Sequence, residues 1–389
     1  MDMLTANNFD PTKIIFRTGC TDSIADYAMP GKKALIVTSN GSSAVKTGIA
    51  DKLKNALDQK SIGYVFYSKI TPNPTKAQVM EGAAKAKESG CDFVIGVGGG
   101  SSIDAAKAIA LMMKNEGDLW DYAYTGSGGR KEPEGAAPIV AITTTSGTGT
   151  ESDPYSVITN EDTDEKFDFT NDAIFPLISF IDPALMVTLP KSQTIYQGFD
   201  ALFHVSECFI TNEHENRLLD LYARDGVETV NKWLPDAVND GSNITARENM
   251  AYAADILAGY SMSICPTTSH HIIAQTIGGL FPNIAHGLTL LFVAEEYYKK
   301  VSTLRPELID ELGVFMGVPS DGNGDGFVKG LTALMDKTGC RHMPMSEYGI
   351  KPADLAKIAE MTVDNTGIEW EKYTLTKQDI LDILEKSYR

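Results

Sequence analysis

At 389 residues, with 43% hydrophobic and 22% charged side chains, the chain can bury enough apolar surface for two packed domains. Its net charge of −18, from 34 basic and 52 acidic residues, repels phosphate backbones and anionic headgroups. That argues against nucleic acid or a membrane as a partner. Five scattered cysteines, Cys20, Cys91, Cys208, Cys265 and Cys340, form no CxxC pair, which points to thiols in a reducing compartment. The opening MDMLTANNFDPTKIIF has no basic region leading into an apolar run, and no stretch of about 18 apolar residues occurs. A cytoplasmic location is expected.

In chain order, short apolar runs alternate with helical patterns. Residues 34–38 (ALIVT), 64–67 (YVFY), 93–97 (FVIGV), 139–143 (IVAIT) and 177–181 (LISFI) read as buried strands. Helical periodicity covers 48–59 and 76–89 between them, and this alternation predicts a mainly parallel sheet covered by helices. Residues 155–159 and 166–170 flank an acidic turn and read as a hairpin. After Pro190 the character changes. Residues 199–210, 217–233, 245–263 and 284–300 carry 3.6-residue periodicity, so 191–389 is expected to be an all-helical domain after an α/β domain at 1–190.

The strand FVIGV runs into Gly98, Gly99, Gly100, Ser101 and Ser102, and an Ala-rich helix follows. Consecutive glycines let backbone approach a ligand closely, and a helix N-terminus offers free N–H groups to a pyrophosphate. Ser101 and Ser102 can cap that helix and donate to phosphate oxygens. The run is neither a GxGxxG fingerprint nor a Walker A loop. A second polar strand end, TTTSGTGTE from Thr143, carries hydroxyls suited to ribose, phosphate or carboxamide. The first domain is therefore expected to bind a dinucleotide.

All six histidines fall in the helical half, and His204, His270, His271 and His286 lie in one 83-residue stretch of it, with His214 nearby. Asp200 and His204 are four apart in an apolar helical pattern, FDALFHVSECFI, and share one face. A buried Asp and His need partners, and a divalent cation satisfies both. One carboxylate and three imidazoles make an open metal site.

These segments together carry a resemblance. Residues 70–75 (ITPNPT), GGGSSIDAAK, TTTSGTGTE, Ile181-Asp182-Pro183, GFDALFH and AHGL at His286 occur in one order along nearly the whole chain. In these the chain resembles the iron-containing (group III) alcohol dehydrogenase family. The resemblance implies a Rossmann-like N-terminal domain and an all-α C-terminal domain, the dehydroquinate synthase-like fold. It implies Fe²⁺ or Zn²⁺ on Asp200, His204, His271 and His286, and a cofactor pocket lined by Asn73, Gly99 to Ser102, Thr144, Thr145, Thr148, Lys166 and Leu185. The reaction it implies is reversible hydride transfer between NAD(P) and a small alcohol or aldehyde, by a homo-oligomer of at least two chains.

Three departures stand out. Where many relatives carry a further histidine four residues after the third metal ligand, this chain has Gln275. The interval from His271 to His286 is one residue longer than usual, so His270 competes for the ligand role. His271 is favoured because Gln275 then falls one turn later. After ALIVT, where NAD-selective relatives often place an Asp, the chain reads Thr38-Ser39-Asn40-Gly41-Ser42-Ser43. That turn removes repulsion of a 2′-phosphate, and NADP(H) is favoured over NAD(H) with Ser39 as a contact. Because Gln275 cannot act as a general acid near neutral pH, the proton is expected to travel through His270, or through water and the cofactor ribose.

Other readings remain open at this stage: a glycerol dehydrogenase-like, maleylacetate reductase-like or dehydroquinate synthase-type activity, or a catalytically silent metal-stabilised assembly protein. The run at 321–326, DGNGDG, begins like a calcium loop, but Thr332 stands where the bidentate Glu belongs, so a turn is expected.

Overall fold

A computed structural model describes residues 8–41, 43–364 and 371–389; Ser42 and the first seven residues, considered above, lie outside them. The chain divides into two compact units, one built on Asp10–Leu189 with Ser242–Ala251, the other on Pro190–Gly241 and Tyr252–Arg389.

The first unit holds six parallel strands: β1 (Lys13–Phe16), β2 (Lys33–Ser39), β3 (Gly63–Ile70), β4 (Phe93–Gly98), β5 (Ile139–Thr143) and β8 (Ile178–Ile181). Their order across the sheet is β1-β8-β5-β4-β2-β3, and β6 (Tyr155–Asn160) pairs antiparallel with β7 (Glu165–Thr170) as the expected hairpin. Helices α1 (Ser43–Lys46), α2 (Ile49–Gln59), α3 (Lys76–Glu88) and α4 (Gly100–Lys114) lie between strands in the chain. Alternate residues of one strand feed different cores. Leu35, Val37 and Val94 pack with Val79, Ala105 and Ile109, whereas Ala34, Ile36 and Ile95 pack with Ile49, Leu53 and Leu57. Both sheet faces are covered, which is why these strands read as unbroken apolar runs.

Strand β1 was not among the expected strands. Its four residues, KIIF, pair with β8 alone at the sheet edge and remain partly exposed, so the run is too short and too polar at its ends to stand out.

The second unit is helical: α5 (Lys191–Asn212), α6 (Arg217–Asn239), α8 (Gly259–Ile264), α9 (Ser269–Leu280), α10 (His286–Ser302), α11 (Pro306–Phe315), α12 (Gly326–Thr338), α13 (Leu355–Val363) and α14 (Lys377–Ser387). From Gly198 to Asn212, α5 is buried on all sides. Helix α6 continues past Pro235, where a break was natural to expect, because Ala237 and Val238 in the following turn are buried. The continuous helix expected over 245–263 is instead α7 (Ile244–Ala251), a π-helical stretch Tyr252–Ala258, and α8. Helix α7 packs with the sheet unit, where Glu248 accepts a 2.6 Å hydrogen bond from the Thr18 hydroxyl. Among the described residues no helix is long and apolar enough to cross a membrane.

Candidate cofactor turn and metal centre

From β2 the chain moves outward to β3, crosses back to β4, and continues to β5 and β8. The direction reverses between β2 and β4, and ligands of open parallel sheets bind beyond the carboxyl ends of such neighbours. Those ends carry Ser39 and Gly98. Gly99 holds the N-cap position of α4, and its carbonyl accepts from Ser102 and Ile103, so the N–H groups of Gly100 and Ser101 precede the first intrahelical bonds and suit an anion. The serines were expected to cap this helix. Instead no side chain caps it, and Ser102 is buried under Gly98.

The glycines serve packing as much as ligand approach. A Cβ on Gly99 would stand 2.9 Å from Thr145 Cγ2, and one on Gly100 would stand 2.5 Å from Thr148 Cγ2. Gly98 has φ of 145°, which side chains other than hydrogen rarely adopt. The glycine turn and the threonine loop thus interlock, and Thr144 N–H donates to the Gly98 carbonyl at 2.9 Å. Asn73, itself at φ 56°, accepts a 2.9 Å hydrogen bond from Lys166 Nζ, so two residues 93 positions apart meet. Leu185 is buried in the apolar cluster with Cys20 and Phe180.

Sequence reading passed over the support beneath this loop. Lys107 is fully buried, and its ammonium donates to the Asp153 carbonyl (2.8 Å), Asp153 Oδ1 (2.9 Å) and the Tyr155 carbonyl (2.8 Å). Asp104 accepts from the Thr150 hydroxyl at 2.7 Å. Burial pushes Asp104 up to about 6 despite the nearby Lys107 charge, and pushes Glu151 up to about 7 against the Thr143 hydroxyl and Lys107. The GGGSSIDAAK signature therefore contains the post that holds the TTTSGTGTE loop.

In the helical unit, Asp200 and His204 project from α5, His271 from α9 and His286 from the first position of α10. The Nε2 atoms of His204, His271 and His286 lie 3.8, 3.5 and 3.7 Å from one atom, Asp200 Oδ1. These separations are too long for good hydrogen bonds. They match the edge of a tetrahedron with arms of ~2.1 Å, which is ~3.4 Å. Asp200 Oδ1 and His271 Nε2 are buried without a hydrogen bond, a state that calls for a partner. Burial raises the Asp200 carboxyl, but the surrounding imidazoles, His204 foremost, hold it at about 2. Carboxylate and imidazole donors converging in a buried pocket fit a divalent iron or zinc ion. His286, a quarter exposed, is the least buried of the four side chains.

His270 does not join this group. It is fully buried, its Nε2 lies 3.1 Å from the Leu290 carbonyl, and its ring stacks on Tyr297. Burial pulls its imidazole down to about 4, against the Glu207 charge. That orientation speaks against the ligand role weighed for it and against proton transfer through it. Gln275 is buried one turn beyond His271, with its Oε1 unpartnered. His214 stays outside the cluster, 3.2 Å from Asp220 and 3.3 Å from Glu311. The DGNGDG run is a turn: Lys329 bridges Asp321 (2.9 Å) and Asp325 (2.7 Å), and Asp310 accepts from Gly326 N–H.

Glu207 was missed. It is buried two helical turns beyond Asp200 and one beyond His204, its Oε2 is 2.6 Å from His271 Nδ1, and its Oε1 accepts from Thr268 N–H at 2.5 Å and His270 N–H at 3.2 Å. The signal was present: Asp200, His204 and Glu207 are the acidic and imidazole residues of the buried stretch of α5 from Gly198 to Cys208, and they stand at i, i+4 and i+7 on one face.

A dinucleotide turn and a cation cluster in one chain define a class, the metal-assisted nicotinamide-dependent oxidoreductases. Comparison with known proteins narrows it. Residues 11–183 match the model of iron-containing alcohol dehydrogenase, and residues 194–388 match the C-terminal model of the Fe-containing alcohol dehydrogenase family. A 1,3-propanediol dehydrogenase of Citrobacter freundii is 32% identical over 362 residues, 92% of each chain. The crystal structure of an archaeal halo-thermophilic alcohol dehydrogenase from a Red Sea brine pool superposes with a TM-score of 0.92 at 32% identity, over 99% of each chain. An NADH-dependent butanol dehydrogenase of Thermotoga maritima gives 0.89 at 29% identity, over the full length of both. The chain belongs to the iron-containing alcohol dehydrogenase family. It is an oxidoreductase that moves hydride between a nicotinamide cofactor and an alcohol or aldehyde.

Proposed function

We propose that Asp200, His204, His271 and His286 hold Fe²⁺ or Zn²⁺, and that a small primary alcohol and its aldehyde are the substrates. The observation that carries this reading is the convergence of three Nε2 atoms on Asp200 Oδ1. The ion would supply Lewis acidity toward the substrate oxygen, and the nicotinamide would exchange hydride with the substrate carbon. The chain's own residues bind and orient. Gly98, Gly99, Gly100 and Ser101 present backbone to the pyrophosphate, with Ser102 buried behind them. Thr144, Thr145, Thr148, Asn73 and Lys166 are assigned to polar groups of the cofactor, and Leu185 to the apolar wall behind it. Gln275 carries no titratable proton, and His270 is engaged with a backbone carbonyl. The proton is therefore assigned to water and the cofactor ribose hydroxyl.

NADP(H) is the favoured cofactor. Residues 38–41 at the end of β2 are Thr38, Ser39, Asn40 and Gly41, which offer no carboxylate to repel a 2′-phosphate. The butanol dehydrogenase relative is NADH-dependent, so the choice needs a direct test. A homodimer or larger homo-oligomer in the cytoplasm completes the reading. Metal-stripped protein reloaded with Fe²⁺ or Zn²⁺ should oxidise small alcohols, with kcat/KM higher for NADP than NAD, and Ser39→Asp should shift the ratio toward NAD tenfold or more. Binding of neither cofactor by metal-loaded protein would refute the proposal.

A further inference from the structure

We propose that Glu207 is the positioning residue that fixes the tautomer and aim of His271, so that Nε2 presents a lone pair to the cation. The proposal rests on the metal-binding reading above. A carboxylate only accepts hydrogen bonds, so the 2.6 Å contact to Glu207 Oε2 requires the proton on His271 Nδ1. Nε2, 3.5 Å from Asp200 Oδ1, is then the atom left to ligate.

Glu207 is held in turn. Its Oε1 accepts the first-turn N–H groups of α9 at Thr268 and His270, so the carboxylate anchors the helix that carries His271. The side chain is fully buried, and α5 bears Asp200 and His204 as well. One helix thus supplies two candidate ligands and the group that aims a third. Partners of this kind on ligating imidazoles raise metal affinity about 10–100-fold.

Glu207→Gln separates aiming from capping. If the amide oxygen keeps the two backbone N–H groups, its NH₂ faces His271 Nδ1. Nδ1 must then be bare, Nε2 carries the proton, and the imidazole cannot ligate. The flipped amide sets NH₂ against two backbone donors. On metal-stripped protein, Zn²⁺ competition with a chromophoric chelator should show binding about 10–100-fold weaker in Glu207→Gln than in the unsubstituted protein. The visible spectrum of the Co²⁺ form should change with it. Equal Zn²⁺ affinity and an unchanged Co²⁺ spectrum would overturn the proposal, even if the variant melts earlier. Should the variant fail to fold, nitrogen-15 NMR of the Zn²⁺-loaded unsubstituted protein replaces it: a proton on His271 Nδ1 is expected, and a bare Nδ1 would overturn the proposal. Failure of the underlying reading looks different, because the unsubstituted protein and Asp200→Asn would then bind Zn²⁺ equally poorly.

Discussion

Replacing Lys107 with Met tests how the cofactor loop is held. The side chain has no solvent exposure, and its ammonium makes three hydrogen bonds, to the Asp153 carbonyl, Asp153 Oδ1 and the Tyr155 carbonyl. Methionine fills similar volume, so packing changes little. What is lost is the charge that pairs Asp153, itself 2% exposed. Burial already raises the Asp153 carboxyl against the pull of Lys107, and without Lys107 it would be left buried beside the carboxyls of Asp104 and Glu151. Breaking one side of a buried ion pair costs about 3–5 kcal/mol. Urea unfolding followed by circular dichroism should show a loss of that size, and dinucleotide binding should weaken because the threonine loop is released from α4. Adding Asp153→Asn removes the stranded charge and should recover part of the loss. A loss under about 1 kcal/mol, or a double variant no better than the single one, would refute the reasoning.

Two further outcomes follow from the same unit. Gly100→Ala should weaken cofactor binding at least tenfold in a fluorescence titration, because its Cβ would stand 2.5 Å from Thr148 Cγ2 and push the loop away from the turn. Glu151 has its folded value raised to about 7 from the ordinary 4.5, so its contribution to stability is full below pH 4.5 and lost as pH rises through about 7. Glu151→Gln removes that ionisation and should raise the melting temperature relative to the unsubstituted protein at pH 8, with the gap closing toward pH 4. A gap independent of pH would contradict the assignment.

The parallel sheet was legible because strands buried on both faces, such as Leu35 to Val37 and Val94 to Val97, leave long apolar runs. The edge strand at Lys13–Phe16 was not, since its exposure erases that signal. Periodicity located the helices but not their interruptions: the π-helical stretch at Tyr252–Ala258 keeps the apolar content of a helix and changes only its hydrogen bonding. For the candidate centre, the histidine cluster and the Asp200–His204 spacing brought Asp200, His204, His270, His271 and His286 into view and the family resemblance implied the set with His271, while the side-chain directions of His270 and His271 separate the two neighbours. Glu207 was overlooked because a lone Glu in sequence carries no sign of burial. Its i+7 relation to Asp200 acquires meaning once α5 proves buried on every side. The glycine run was read as room for a ligand, and Thr145 and Thr148 supply a second reason that lies in another segment of the chain.

The most direct test of the account is a paired measurement on unsubstituted protein and Asp200→Asn, both stripped and reloaded with Fe²⁺ or Zn²⁺. Metal content is read by elemental analysis, and transfer of deuterium from a C1-deuterated primary alcohol to the nicotinamide ring is read by mass spectrometry. The account predicts stoichiometric metal and labelled cofactor from the unsubstituted protein, with metal and label lost together in Asp200→Asn. Equal label transfer by the metal-free protein and the variant would contradict it.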